Sequence, residues 1–272
     1  MPNQSESMIN RVVSVLEAFK SAEGALTASE VARRTEIPMP SAHRIVNDLV
    51  NTGLLDRDQD SKLRIGMRLW EIAVRSTRVL TLREVALPFM EELLSVVKEP
   101  TLLSVRDRTD VINIETLSPR NSDATNVTQP GFRLPILVSS PGIVLVAFSS
   151  PQERAEILAT APLTRFTRYT VVDRSALRRH VDDTRRVGHA IVRRWIHADS
   201  TGIAVPVLRD DGTALAALSV TQPFDVGVGS DLLLALHTTA RGIARAVATS
   251  ATSSDPEVKL LRQQLKHAID GR

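Results

Sequence analysis

Thr27-Ala-Ser-Glu-Val-Ala-Arg-Arg-Thr-Glu-Ile-Pro-Met-Pro-Ser-Ala-His-Arg-Ile-Val-Asn-Asp-Leu-Val-Asn-Thr-Gly-Leu-Leu-Asp-Arg57, followed by Asp58-Gln-Asp-Ser61 and Lys62-Leu-Arg-Ile-Gly66, decides the N-terminal third of this chain. Thr27 and Glu30 have capping-box spacing: the hydroxyl can accept from the third helical N–H while the carboxylate reaches back to the cap. A short helix over 28–35 follows, and Glu36–Pro40 reads as a turn, because Pro38 forbids continuation and restrains its neighbour. Pro40 suits the first turn of a second helix. From Ser41 to Asn51 the apolar residues fall at 42, 45, 46, 49 and 50, one stripe of a helix. The opposite face shows Ser41, His43, Arg44, Asn47 and Asp48, types that meet base edges and phosphates. Gly53 suits a left-handed cap. Beyond it Leu63 and Ile65, facing inward, alternate with outward Lys62 and Arg64, a half-buried hairpin around Asp58–Ser61.

Working outward, Met8–Phe19 carries an apolar helical period, so helix, short helix, turn, longer helix and hairpin describe a winged helix-turn-helix. The expected contacts with double-stranded DNA are Thr27, Ser41, His43, Arg44, Asn47, Arg57, Lys62 and Arg64. Arg44 and Asn47 are candidates for base edges, Lys62 and Arg64 for the adjacent backbone. The same unit could also serve as a protein–protein module, and the charge does not arbitrate. Residues 38–68 hold five Lys and Arg against four Asp, and the whole chain carries a formal net charge of only +3.

At 272 residues the chain is long enough for two domains, taking about 100–200 residues for each. An apolar share of 43% and a charged share of 24% are ordinary for a globular protein. No apolar run reaches the roughly 18–20 residues of a membrane span, and the N-terminus lacks the features of a secretion signal. A cytoplasmic protein, at the nucleoid when bound to DNA, is the expectation. The absence of cysteine excludes disulfides and thiolate chemistry. The six histidines show no metal-ligand spacing, and no nucleophile elbow, phosphate loop or dinucleotide fingerprint occurs. No catalytic residues, metal or cofactor are therefore expected.

The run from Leu26 to Asp58 resembles the DNA-binding region of the IclR family of bacterial transcriptional regulators. The pieces that carry this are the proline turn before Ser41-Ala-His-Arg44, Gly53-Leu-Leu with its acidic-basic tail, and Leu63-Arg-Ile-Gly-Met-Arg-Leu69. The resemblance continues to about residue 250. It implies an α/β (α+β) protein: a winged helix-turn-helix (1–67), a linker helix (68–84) and a GAF-like effector-binding domain (85–250). A polar linker and short helix (251–272) lie beyond what the family requires. It also implies homodimers through the DNA-binding part, which can assemble as dimers of dimers, and a small organic effector, an aromatic or carboxylic acid.

The downstream pattern agrees. Leu69–Val97 reads as helix interrupted at Pro88; Leu102–Arg106, Val111–Thr116 and Ile136–Ser139 read as strands. Helices are expected at 142–148, 152–160, 174–187 and 230–249, with strands at 190–194, 203–209 and 214–221, the last two joined by Asp210-Asp-Gly-Thr213. Similar proteins hold the effector at the start of one helix and the edges of late strands. Here the matching positions are Leu137, Ser139, Ser140, Gly142, Ile143, Val192, Gly202, Ile203, Ser219 and Thr221. Leu137 stands for the family's usual His, Ile143 for its Lys, Gly202 for its frequent Cys and Val192 for its acidic residue, while Ser219 and Thr221 keep its paired hydroxyls. The pattern implies an effector less polar or larger than a short oxo-acid, for a regulator of a catabolic operon. The alternative is a ligand-independent dimeric DNA-binding and oligomerisation module with a vestigial pocket.

Overall fold

The computed structural model describes residues 7–20, 24–76, 78–119 and 128–252. The chain divides into two compact units, Met1–Leu80 and Thr81–Arg272. The short helix expected at 257–269 lies outside the described residues.

In the first unit α1 (Met8–Glu17), α2 (Ala28–Thr35) and α3 (Met39–Asn51) are followed by β1 (Leu55–Arg57), β2 (Leu63–Ile65) and α4 (Met67–Ser76). The capping box forms in full: Thr27 Oγ1 accepts from Glu30 N at 3.2 Å, and Thr27 N donates to Glu30 Oε2 at 2.8 Å. These bonds to its charged form hold the Glu30 carboxyl below its ordinary pKa. Helix α3 begins two residues earlier than expected. Pro38 is its N-cap and Met39-Pro40 its first residues; α2 ends at Thr35 as expected, with Glu36 turning into the left-handed region (φ 56°), so the turn between the helices is the shorter element. The core is Val15, Val31, Ala42, Ile45, Val46, Leu49, Leu55 and Leu63. Ile65, expected inward, is 42% exposed: the two-stranded wing covers the core only at Leu55 and Leu63.

The second unit is a six-stranded antiparallel sheet in the order β5-β4-β3-β8-β7-β6. Its strands are β3 (Thr101–Asp107), β4 (Asp110–Leu117), β5 (Arg133–Pro135), β6 (Ala190–Arg193), β7 (Ser200–Leu208) and β8 (Ala214–Pro223). Helices α6 (Ser140–Ala147), α7 (Pro151–Thr160) and α8 (Arg174–Val187) belong to one face, with a core of Leu137, Ile143, Leu177, Val181 and Ala204. On the other face α5 (Arg78–Val97) and α9 (Ser230–Thr252) bury Met90, Leu93, Leu236 and Ile243 against Ile203, Val205, Leu218 and Val220. Period-two alternation along β7 and β8 separates these sets.

Two expectations change here. Pro88 does not interrupt α5; it sits exposed within it, where the carbonyl that loses its donor can turn to water. Ile136–Ser139 is not a strand: Pro135 closes the short strand β5, and Ile136–Val138 coils into a single 3-10 turn buried on all sides. Gly142 makes that turn possible, since a Cβ there would lie 1.8 Å from the Ile136 carbonyl oxygen.

Candidate DNA interface and effector pocket

The buried stripe of α3 turns His43, Arg44, Asn47 and Asp48 outward, all exposed, with Ser41 half-buried at the helix start. Arg44 has no acidic partner among the described residues, and Lys62 offers a free ammonium on the wing. Arg64 Nε lies 3.9 Å from Asp58 Oδ2, while Asp58 Oδ1 accepts from the backbone N–H groups of Asp60 and Lys62 and shapes the wing tip. Three of the expected DNA contacts, Thr27, Arg57 and Asn47, already hold side-chain hydrogen bonds within the unit. The Thr27 hydroxyl serves the cap of α2, also donating to Glu30 Oε2 at 2.9 Å. Arg57 Nη2 donates to Asn47 Oδ1 at 2.8 Å and so ties the wing to α3. An Asn reads adenine with its oxygen and nitrogen together. Arg57 takes one of the two acceptor sites of that oxygen and fixes the orientation of the amide.

In the second unit one pocket gathers six of the ten expected effector positions. Ser139, Ser140, Val192, Gly202, Ser219 and Thr221 line a cavity of about 80 Å³ between the start of α6 and strands β6, β7 and β8. Strand alternation puts Gly202, Ser219 and Thr221 on one face of the sheet. The bare Cα of Gly202 lets α6 close in, since a Cβ there would stand 2.7 Å from Ser140 Oγ. Ser139 caps α6 by accepting from Gly142 N at 3.2 Å, and Pro141 contributes no N–H.

The other four do not line it. Leu137 and Ile143 are 0% and 1% exposed in the core beneath α8; the apolar replacements at these positions pack instead of pointing at a ligand. Gly142 serves the backbone crossing described above, and Ile203 faces α5 and α9, one residue out of phase with Gly202. Conversely, the pocket includes Leu102, Leu134, Trp195, Ile196, His197 and Ser200, which motif matching missed. Four of these come from the loop between β6 and β7 and its end. Its first residue, Arg194, adopts φ 66° and lies between the Tyr169 ring (3.8 Å) and the Phe224 ring (4.2 Å). Thr167 Oγ1 and Thr170 Oγ1 donate to the Arg194 and Trp195 carbonyls, each at 2.6 Å, and fix the loop. The sequence signal was one of the two tryptophans standing seven residues before the key glycine. His197 Nδ1 accepts from Asp199 N at 3.4 Å, which leaves Nε2 to carry the proton of the neutral ring.

Among the described residues no His, Asp or Glu group could hold a metal ion, and no helix is long and apolar enough to cross a membrane.

Comparison with known proteins gives both halves a counterpart. Residues 9–59 match the IclR helix-turn-helix domain, and residues 74–248 match the C-terminal domain of IclR bacterial transcriptional regulators. An IclR homolog from Microbacterium hydrocarbonoxydans, solved in complex with 4-hydroxybenzoate, is 41% identical; the match covers 89% of this chain and all of that one, with a TM-score of 0.80. A second homolog, from a Microbacterium species, is 40% identical over 92% of this chain and 99% of its own, with a TM-score of 0.58. The HTH-type transcriptional regulator XynR of Escherichia coli is 25% identical, the match covering 78% of this chain and 84% of XynR. The winged helix-turn-helix and the antiparallel α/β domain thus belong to one architecture, and the chain is a member of the IclR family of DNA-binding transcriptional regulators with an effector-binding C-terminal domain.

Proposed function

We propose that this regulator senses an aromatic carboxylic acid of the size of a hydroxybenzoate in the pocket between α6 and strands β6–β8. The carrying observation is the composition of that pocket: the Ser139, Ser140, Ser219 and Thr221 hydroxyls meet apolar walls of Leu102, Leu134, Trp195 and Ile196. A flat ring suits the walls, and the hydroxyls with His197 Nε2–H suit an acid and a phenol at its ends. The 41% identical homolog bound to 4-hydroxybenzoate supports the class. The cavity of about 80 Å³ is smaller than the ~150 Å³ that accommodates benzene in an engineered apolar site, so a ring must push the wall outward. The mobile element would be the Trp195–His197 loop. The same narrowness favours the second reading, a domain that only packs and oligomerises.

On the DNA side, Arg44 is assigned to a base edge in the major groove, with Asn47 beside it once Arg57 moves to a phosphate; Lys62 and Arg64 hold the flanking backbone. Dimerisation is assigned to the first unit. Met8, Ile9 and Val13 on α1 and Met67, Trp70 and Ile72 on α4 are large apolar side chains left exposed, which supports this reading. The regulated genes are assigned to breakdown of the same aromatic acid.

The test is an operator titration with and without 4-hydroxybenzoate. A shift in operator affinity that saturates with the acid supports sensing, because an effector must differ in free energy between DNA-competent and incompetent states. Binding of the acid without any shift, or no binding, favours the packing module. Arg44→Ala is expected to flatten discrimination between operator and random DNA by about 1–3 kcal/mol, whereas Lys62→Ala weakens both alike.

A further inference from the structure

A second cavity of the effector unit, about 310 Å³, shares no lining residue with the first. It lies where the last turn of α8 meets α9. Phe148, Pro206, Leu208, Ala240 and Ala244 form an apolar floor, and Arg185, Arg186, His237 and Arg241 form the rim. Among the described residues no Asp or Glu lines it.

The four basic groups are not equivalent. Arg185 donates to the Ala147 carbonyl at 2.8 Å and lies over the Phe148 ring at 5.8 Å, so it builds the wall. Arg186 pairs with Asp183, one turn back on α8, at 3.0 Å, a contact open to solvent and of small worth. Both stand in the last turn of α8, where cations offset the helix dipole. That account does not reach α9. Arg241 has no carboxylate or carbonyl partner among the described residues, and half-buried His237 sits one turn away on the same face. His237 packs edge-to-face on His189, ring centroids 6.1 Å apart. Burial, then the neighbouring His189 and Arg241, hold His237 below the ordinary histidine range. Arg241 is thus the basic group these contacts leave unexplained, and an anion at the rim would offset the charge that three guanidinium groups bring to an apolar hollow.

We propose that this cleft is a second ligand site, for a small organic anion that lays an apolar body on Phe148, Pro206 and Leu208 and turns a phosphate or carboxylate head to Arg241 and Arg186. Its volume falls at the lower end of small-molecule pockets, and guanidinium groups match either head. Strand β7 serves both cavities, with Gly202 at the effector pocket and Pro206 and Leu208 here, so an occupant is placed to influence the effector pocket.

Phenyl phosphate titrated into the full-length protein tests this, with calorimetry for affinity and histidine-labelled NMR for location. Saturable binding that moves the His237 and His189 resonances and leaves His197 in place is expected. Arg241→Gln should weaken it about tenfold or more, and Arg186→Gln, also at an exposed side chain, by a smaller factor. Inorganic phosphate, a head without a body, should bind at least about tenfold more weakly than phenyl phosphate. Benzoate in the same assay distinguishes the heads: a matching His237 shift assigns carboxylates to the site as well, and none restricts it to phosphates. The proposal is overturned by non-saturating shifts, by shifts at His197 alone, by equal affinity for inorganic and phenyl phosphate, or by Arg241→Gln and Arg186→Gln both binding as the wild type does.

Discussion

Gly202→Ala separates the effector pocket from the core around it. The substituted Cβ would meet Ser140 Oγ at 2.7 Å, but Ser140 Cβ at an ordinary 3.6 Å, and Gly202 does not occupy the left-handed region. Only one hydroxyl has to turn. That rotation costs about 0.5–1.5 kcal/mol if the new rotamer is imperfect. The loss of glycine's freedom in the unfolded chain returns about 0.4–1 kcal/mol. Stability should therefore stay within about 1 kcal/mol of the parent. Binding should not. The displaced Ser140 hydroxyl forfeits a hydrogen bond worth about 0.5–1.5 kcal/mol, and a methyl intruding into a small cavity overpacks the site by about 1–3 kcal/mol. Together these predict a loss near 2–4 kcal/mol, about 30- to 1000-fold in affinity for 4-hydroxybenzoate. Urea unfolding and calorimetric titration of the same preparation measure the two effects. Parent-like affinity at parent-like stability would show that Gly202 does not border the ligand. A stability loss above about 3 kcal/mol would show instead that Ser140 cannot rotate, and that the contact belongs to the core.

Thr27→Ala should destabilise the N-terminal unit by about 1 kcal/mol, seen calorimetrically as a Tm several degrees lower, while operator preference stays unchanged because the hydroxyl serves the cap. The capping-box carboxyls add a pH dependence. Glu153, held by the Ser150 hydroxyl and then by Arg106, and Glu30, held by Thr27, both have pKa values below the ordinary carboxylate range. Their stabilisation is full above the unfolded carboxylate pKa of about 4.3 and is lost as pH falls through the lower folded values; Thr27→Ala and Ser150→Ala should flatten that acid decline in urea midpoints. Arg194→Ala removes two ring contacts and a 2.7 Å bond to the Ala198 carbonyl. It should cost about 1–2 kcal/mol and weaken 4-hydroxybenzoate about tenfold, where Arg193→Ala, at an exposed neighbour, changes neither.

The N-terminal unit was legible because its rules are local. A capping box, a proline turn and a 3.6-residue stripe each act within one or two turns, and the bounds of α2 followed from them. Where reading failed, the deciding partner lay elsewhere in the chain. Pro88 looks like a breaker, yet packing of Leu82, Ala86, Met90 and Leu93 on the sheet carries α5 through it. Ile136–Ser139 has strand composition, but the close approach of Gly142 coils it. The candidate pocket, as a cavity, was half visible for the same reason. Hydroxyls on β8 and the glycine on β7 share a face by alternation, which sequence shows. Leu137 and Ile143 were placed by likeness of position, whereas whether such a side chain faces a hollow or a core depends on α8, more than thirty residues away. The Trp195–His197 wall has no motif, because its position depends on Arg194 meeting rings from two distant segments.

How the effector domain could carry a signal is set by its sheet. Gly202 and Ser219 face the pocket; their neighbours Ile203 and Val220 are buried against the core that includes Leu82, Ala86 and Met90 of α5. A ligand that spreads β7 and β8 by a few tenths of an ångström cannot leave that second core untouched, since close-packed interiors transmit displacement instead of absorbing it. A further tie runs from β4: Glu115, 5% exposed, binds Arg83 of α5 at 2.7 Å, and the adjacent Thr116 hydroxyl donates to the carbonyl of Thr128, a pocket residue. Both routes converge on the first turns of α5, the helix that continues the chain from α4. Pocket and helix are therefore opposite sides of the same strands, and a ligand held in the proposed site would be felt at the start of α5 without a separate relay.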